Sequence, residues 1–142
     1  SRAVQTAEIV AGLLDLDVVV REGLREYGVG SLSGTDADER AILGGVFEAW
    51  MGGDGNVRIP GGERVVDFVD RVADVFEEAA DQHRGEAILV VSHGGAILAG
   101  LPRLLGVPGE FVRDRTLANC GVIELETDAD GWRPVRWCGT PM

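Results

Sequence analysis

Ile88-Leu89-Val90-Val91 is an uninterrupted apolar run that stops at Ser92-His93-Gly94-Gly95, and no other stretch restricts the fold as strongly. Four β-favouring apolar residues in succession describe a strand buried on both faces, as in a parallel sheet covered by helices. The break sets His93 at the strand's carboxyl end. In open α/β sheets ligands bind beyond that end, and glycines there let main-chain N–H groups approach an anion. Such a strand demands helices on either side, which the rest of the sequence has to supply.

It supplies them by alternation. From Arg2 to Leu14, Ala3, Ala7, Val10 and Leu14 recur at helical spacing, with Ser1 as N-cap. Residues 17–20 read as a short strand. Residues 24–34 read as a loop, because Gly28, Gly30 and Gly34 would each weaken a helix by about 1 kcal/mol. Residues 36–51 are a predicted helix whose acidic start suits its positive end, and 52–62 a loop. The clearest helix carries Val65, Phe68, Val69, Val72, Val75, Phe76 and Ala79 as one apolar stripe, with Asp67, Asp70, Arg71, Asp74 and Glu77 opposite. After the strand at 87–91, residues 95–105 are apolar nearly all round and predict a buried helix. Strands at 121–126 and 132–137, joined by Asp128-Ala129-Asp130-Gly131, predict a hairpin. The alternation implies an α/β fold, a three-layer sandwich with a mostly parallel central sheet flanked by helices. Residues 1–142 read as a single domain.

Composition removes several classes of function. The net charge of −11 argues against nucleic acid and anionic membrane surfaces as partners. No apolar run has the length of a membrane span, and no signal-peptide pattern opens the sequence. Cys120 and Cys138 fit no paired-ligand spacing, which favours a reduced, cytoplasmic setting. All 13 basic residues are arginine, so neither a Walker-type phosphate loop nor a Schiff-base lysine is available. The two histidines and two cysteines include no close-spaced pair, leaving no metal site to propose. Ser92 lacks the Gly-x-Ser-x-Gly elbow of a serine hydrolase, and His83 reads as an exposed helix-end residue. The opening Ser1-Arg2-Ala3-Val4-Gln5-Thr6-Ala7 reads as a helix start without a preceding strand or initiator methionine, as in an N-terminally truncated chain.

Three segments together resemble an ordered family signature: Ser1-Arg2-Ala3-Val4-Gln5-Thr6-Ala7; Leu24-Arg25-Glu26 with Gly30-Ser31-Leu32-Ser33-Gly34; and Val91-Ser92-His93-Gly94-Gly95. Pro60-Gly61-Gly62-Glu63 and Asn119-Cys120-Gly121 match weaker positions of the same signature. The chain resembles the histidine phosphatase superfamily, the phosphoglycerate mutase-like fold, over essentially its whole length. By that resemblance Arg2 grips the phosphoryl oxygens, a role suited to a planar guanidinium. Glu26 protonates the leaving alcohol, for which a partly buried carboxyl group is suited. His93 donates to the phosphoryl group and stabilises transition-state charge, with Gly94 keeping the wall close for phosphate. The family's nucleophile is another histidine, in an Arg-His-Gly segment at the end of the first strand. It forms a phosphohistidine that water hydrolyses, and here it is expected upstream of Ser1.

The resemblance implies a small phosphatase that needs no cofactor or metal, with a phosphomonoester or inorganic phosphate as its small-molecule partner. Mutase branches carry a long insertion where this chain has the short stretch 34–61, and Trp50, Met51 and Arg58 become candidates for the substrate mouth. Arg64 stands where serine is common, as an extra positive charge or a helix-start residue, and Asn119 is a further candidate contact. Trp132 and Trp137 are candidates for the contact face of a homodimer. Two alternatives stand beside the phosphatase: a non-catalytic phospholigand-binding or interaction protein, if the chain is naturally this short, and a phosphoglycerate mutase.

Overall fold

The computed structural model describes residues 1–28 and 37–142. It contains four helices, α1 (Arg2–Leu14), α2 (Ala37–Met51), α3 (Val65–Gln82) and α4 (Gly94–Leu105), and three strands, β1 (Ile123–Asp128), β2 (Gly131–Trp137) and β3 (Thr140–Pro141). Short 3-10 turns lie at Glu22–Leu24 and Gly109–Val112. The predicted loop segment from Gly30 to Gly34 and the predicted helix start at Asp36 fall outside the described residues.

Helix α1 begins and ends where its chemistry requires. The Ser1 hydroxyl accepts from the N–H of Val4 at 3.3 Å, and Asp15 closes the other end in a left-handed conformation, φ 55°. Helix α3 is the centre of the core. Its stripe buries Val65, Phe68, Val69, Val72 and Ala73, against Tyr27, Val46, Ile59, Ala96 and Ala99. Each such side chain contributes about 1.5–3 kcal/mol by leaving water. Helix α4 is buried through Ala96, Ala99, Gly100, Leu101, Pro102 and Leu104, as its all-round apolarity predicts. It stops at Gly106, φ 66°.

The hairpin forms as expected, with Asp128 opposite Gly131 and Ile123 opposite Trp137. β3 adds to β2, giving an antiparallel sheet in the order β1-β2-β3. Here the structure differs from the predicted mostly parallel central sheet. Among the described residues neither 17–20 nor 87–91 forms a strand or a main-chain hydrogen bond. A strand needs a neighbour as well as a propensity, and both segments instead line an open groove of about 760 Å³. Ile88 and Leu89, predicted buried, are 41% and 61% exposed. Helix α1 turns Ala3, Val4, Ala7, Val10 and Leu14 to the same groove and buries no residue of its own.

Candidate active site

His93 occupies the N-cap position of α4 with extended backbone, φ −121° and ψ 152°, and makes no side-chain cap. His93 lines the groove together with Ser1, Glu22 and Arg25. Arg2, the residue after Ser1, is exposed in the first turn of α1. The amino ends of α1 and α4 therefore open onto one cavity, where helix N–H groups and arginine favour an anion.

Glu26 meets this cluster from the other side. One carboxylate oxygen accepts the N–H of Gly95 at 3.2 Å, and the other accepts the N–H of its neighbour Tyr27 at 3.1 Å. The carboxylate is exposed, which corrects the partial burial expected for a proton donor. The glycine that this contact requires is Gly95. A Cβ there would lie 2.6–3.0 Å from the Glu26 carboxyl atoms, whereas a Cβ on Gly94 would meet nothing within 4 Å. Gly94 leaves open space at the helix end. Ser92 fastens the approach to His93, its hydroxyl donating to the Leu24 carbonyl at 2.6 Å.

Behind Glu26 lies a pair that sequence reasoning did not identify. Arg71, predicted on the polar face of α3, is only 17% exposed at its side chain, as is Glu63. The guanidinium makes five hydrogen bonds, as many as it has N–H donors. Nε and Nη2 reach the two Glu63 oxygens at 3.0 and 2.6 Å. Nη1 reaches the carbonyls of Gly23 and Arg25 at 2.8 and 2.7 Å, and Nη2 that of Glu26 at 3.0 Å. Glu63 also accepts the N–H of Gly28 at 2.9 Å, and its carbonyl accepts the Tyr27 hydroxyl at 2.6 Å. Burial works to raise the Glu63 pKa, but the bonds from Arg71 and Gly28 and the charges of Arg71 and Arg25 hold it below the ordinary value. The sequence carries one faint sign. Arg71 lies three residues after Phe68 and four before Val75, on the margin of the apolar stripe.

Other expected contacts are placed elsewhere. Trp50 is half-buried and packs its ring against Phe47, 6.2 Å between centroids, and against Gly109. Met51 ends that helix. Arg64, at the N-cap of α3, forks onto Asp67 at 2.9 and 3.0 Å and donates to Asn56 at 3.1 Å. Arg58 is exposed, and Asn119 sits exposed in a turn closed by the Gly121 N–H on Ala118. Trp132 and Trp137 are half-buried: Trp132 donates to Glu77 at 3.1 Å and Trp137 to the Thr116 carbonyl at 2.8 Å. His83 is at the end of α3, exposed, 3.5 Å from Glu86. Among the described residues no three His, Cys, Asp or Glu side chains gather as metal ligands, and no helix is long and apolar enough to cross a membrane.

Residues 1–140 match the family described as the histidine phosphatase superfamily (branch 1). The chain is 31% identical over 140 residues to a probable phosphoglycerate mutase GpmB of Escherichia coli O1:K1 / APEC, covering 96% of this chain and 64% of that protein. It therefore spans less than two thirds of the length of such relatives. A mycobacterial glucosyl-3-phosphoglycerate phosphatase complexed with VO3 superposes with a TM-score of 0.78 at 27% identity, over 96% of this chain and 71% of that one. The same kind of phosphatase with inorganic phosphate gives 0.76 at 26%, over 98% and 73%. Bacillus stearothermophilus YhfR shares the fold, with a TM-score of 0.79 at 23% identity over 100% and 71%.

Proposed function

The chain belongs to the histidine phosphatase superfamily (branch 1), and from that premise we propose that it is the greater part of a phosphomonoester hydrolase working through a phosphohistidine. An imidazole nitrogen from an Arg-His-Gly segment preceding Ser1 attacks phosphorus. The P–O bond to the alcohol breaks, and Glu26 gives the departing oxygen its proton. Arg2 and His93 hold the phosphoryl oxygens as charge builds on them. Water then attacks the phosphohistidine, Glu26 takes its proton, and phosphate leaves.

The observation that carries this reading is the Glu26 carboxylate tied to the amino end of α4, two residues beyond His93. That contact supports the reading by bringing the Glu26 carboxylate to the same helix end as His93. The groove supports the remainder. Residues 17–20 and 87–91 line it with exposed valine, isoleucine and leucine and with main chain that is unpaired among the described residues. A strand laid between them would complete a mostly parallel central sheet and bring its last residues to His93.

A mutase is the second reading, favoured by the name of the GpmB relatives. A phosphomonoester panel assayed with the full-length protein separates the two. Phosphate release supports the hydrolase. Interconversion of 2- and 3-phosphoglycerate without release supports the mutase. Binding of inorganic phosphate or vanadate without turnover of any ester would leave only a phospholigand-binding protein.

A further inference from the structure

Glu26 belongs to a loop with little structure of its own: a 3-10 turn at Glu22–Leu24, then extended backbone at Arg25. Its side chain nevertheless has to reach the Gly95 N–H, across a gap in sequence of 69 residues. What holds the loop is α3. Gly23 lies so close to that helix that a Cβ would come 2.6 Å from Val75 and 2.8 Å from the Arg71 carbonyl. Beyond Gly23, the carbonyls of Gly23, Arg25 and Glu26 all accept from Arg71, and Glu63 takes the N–H of Gly28. Five of the six residues 23–28 are thus fixed by one ion pair and its main chain, Tyr27 through its hydroxyl.

We infer that Arg71 and Glu63 are positioning residues for the Glu26 carboxyl group, setting its distance from the amino end of α4 without touching substrate. The inference rests on the reading of Glu26 as proton donor. Only arginine can fill the first position. Three carbonyls and two carboxylate oxygens need a planar fork of five donors, and a lysine ammonium has three on a flexible stem. Glu63 orients that fork, because its two oxygens take Nε and Nη2 side by side and leave Nη1 directed at the loop. The Phe68 ring lies 4.7 Å beneath the guanidinium carbon and closes the remaining face.

The experiment has two arms. In the full-length protein, Arg71→Lys and Glu63→Gln are compared with the parent on phenyl phosphate, whose leaving group needs a proton, and on 4-nitrophenyl phosphate, whose leaving group needs it far less. A misplacement of about 1 Å can cost on the order of a hundredfold. We expect kcat on phenyl phosphate to drop by about ten- to a hundredfold with KM little changed, and a much smaller drop on 4-nitrophenyl phosphate. Equal losses on both substrates overturn the inference. In the second arm, Glu26→Gln is introduced into the isotope-labelled chain and the Gly95 amide resonance is followed by NMR. The resonance moves in the parent background and hardly responds in the Arg71→Lys or Glu63→Gln background. A full response in both backgrounds overturns the inference without recourse to activity. A parent protein that hydrolyses neither ester removes the proposed function, and the Gly95 arm then still decides the positioning role. Glu63→Gln is isosteric and serves both arms where Arg71→Lys does not fold.

Discussion

His93 and Glu26 differ in how firmly each is held, and the difference sets what their replacement should do. His93 sits at the N-cap of α4 without a side-chain cap and lines the groove, whereas the Glu26 carboxylate accepts two main-chain N–H groups. In the full-length protein His93→Ala should lower kcat on an aryl phosphate by about 10²- to 10³-fold, the usual cost of one donor to a developing oxyanion. Unchanged turnover would take His93 out of the reaction. Glu26→Gln should harm substrates with poor leaving groups most, by about 10²-fold or more, and equal loss across a leaving-group series would leave it a structural role. Glu63 makes a prediction about stability. Its folded pKa lies below the unfolded value, so its contribution is intact above the ordinary glutamate value of about 4.3 and is lost as pH falls through the lower folded value. Chemical denaturation of the parent and Glu63→Gln across that acid range should converge. A constant difference between them would contradict the assignment.

Elements with local causes were legible in the sequence. Helix α1 announced itself through Ser1 and its spacing, α3 through a stripe from Val65 to Ala79, and the hairpin through Asp128-Ala129-Asp130-Gly131. What was not legible depends on partners distant in sequence. Residues 17–20 and 87–91 have strand-like composition, yet pairing is a property of two chains of backbone, and neither segment has a described neighbour. Of the site, His93 and Glu26 could be marked by motif, and the structure links them through Gly95. Arg71 could not, because a charged residue beside an apolar stripe is ordinarily a solvated one. Its burial follows from carbonyls supplied about 45 residues earlier, at Arg25 and Glu26. Gly95 offers a test at this scale. Gly95→Ala should leave α4 intact, since alanine is the better helix former by about 1 kcal/mol, while forcing the Glu26 carboxylate away from the helix end. Helical circular dichroism and phenyl phosphate turnover, measured together, should show structure retained and activity reduced. Full activity would mean that the Glu26 contact is dispensable.

For the whole molecule, the buried residues gather around α3 and α4, while α1 buries none of its own. Hydrogen exchange should follow that division. Amides of α3 and α4 should be protected, and those of α1, 17–20 and 87–91 should exchange quickly in the 142-residue chain. In a longer chain carrying the proposed strand before Ser1 the second group should slow. Strong protection of 87–91 without that strand would mean that the groove is closed in solution. The loop docked on α3 has an optical consequence as well. Tyr27 is the one tyrosine of the sequence, its ring is set 5.3 Å from Phe47 and 5.2 Å from Phe68, and its hydroxyl is spent on Glu63. Burial pushes its pKa up, aided by the Glu63 charge and outweighing the downward pull of the Ile59 main chain and the Arg58 charge. Folding is therefore favoured below the unfolded phenol value of about 10 and weakens as pH rises past it. In alkaline titration the ultraviolet absorbance of phenolate should therefore rise at a higher pH in the folded protein than in the denatured chain, and equal midpoints would mean that the loop is not docked on α3.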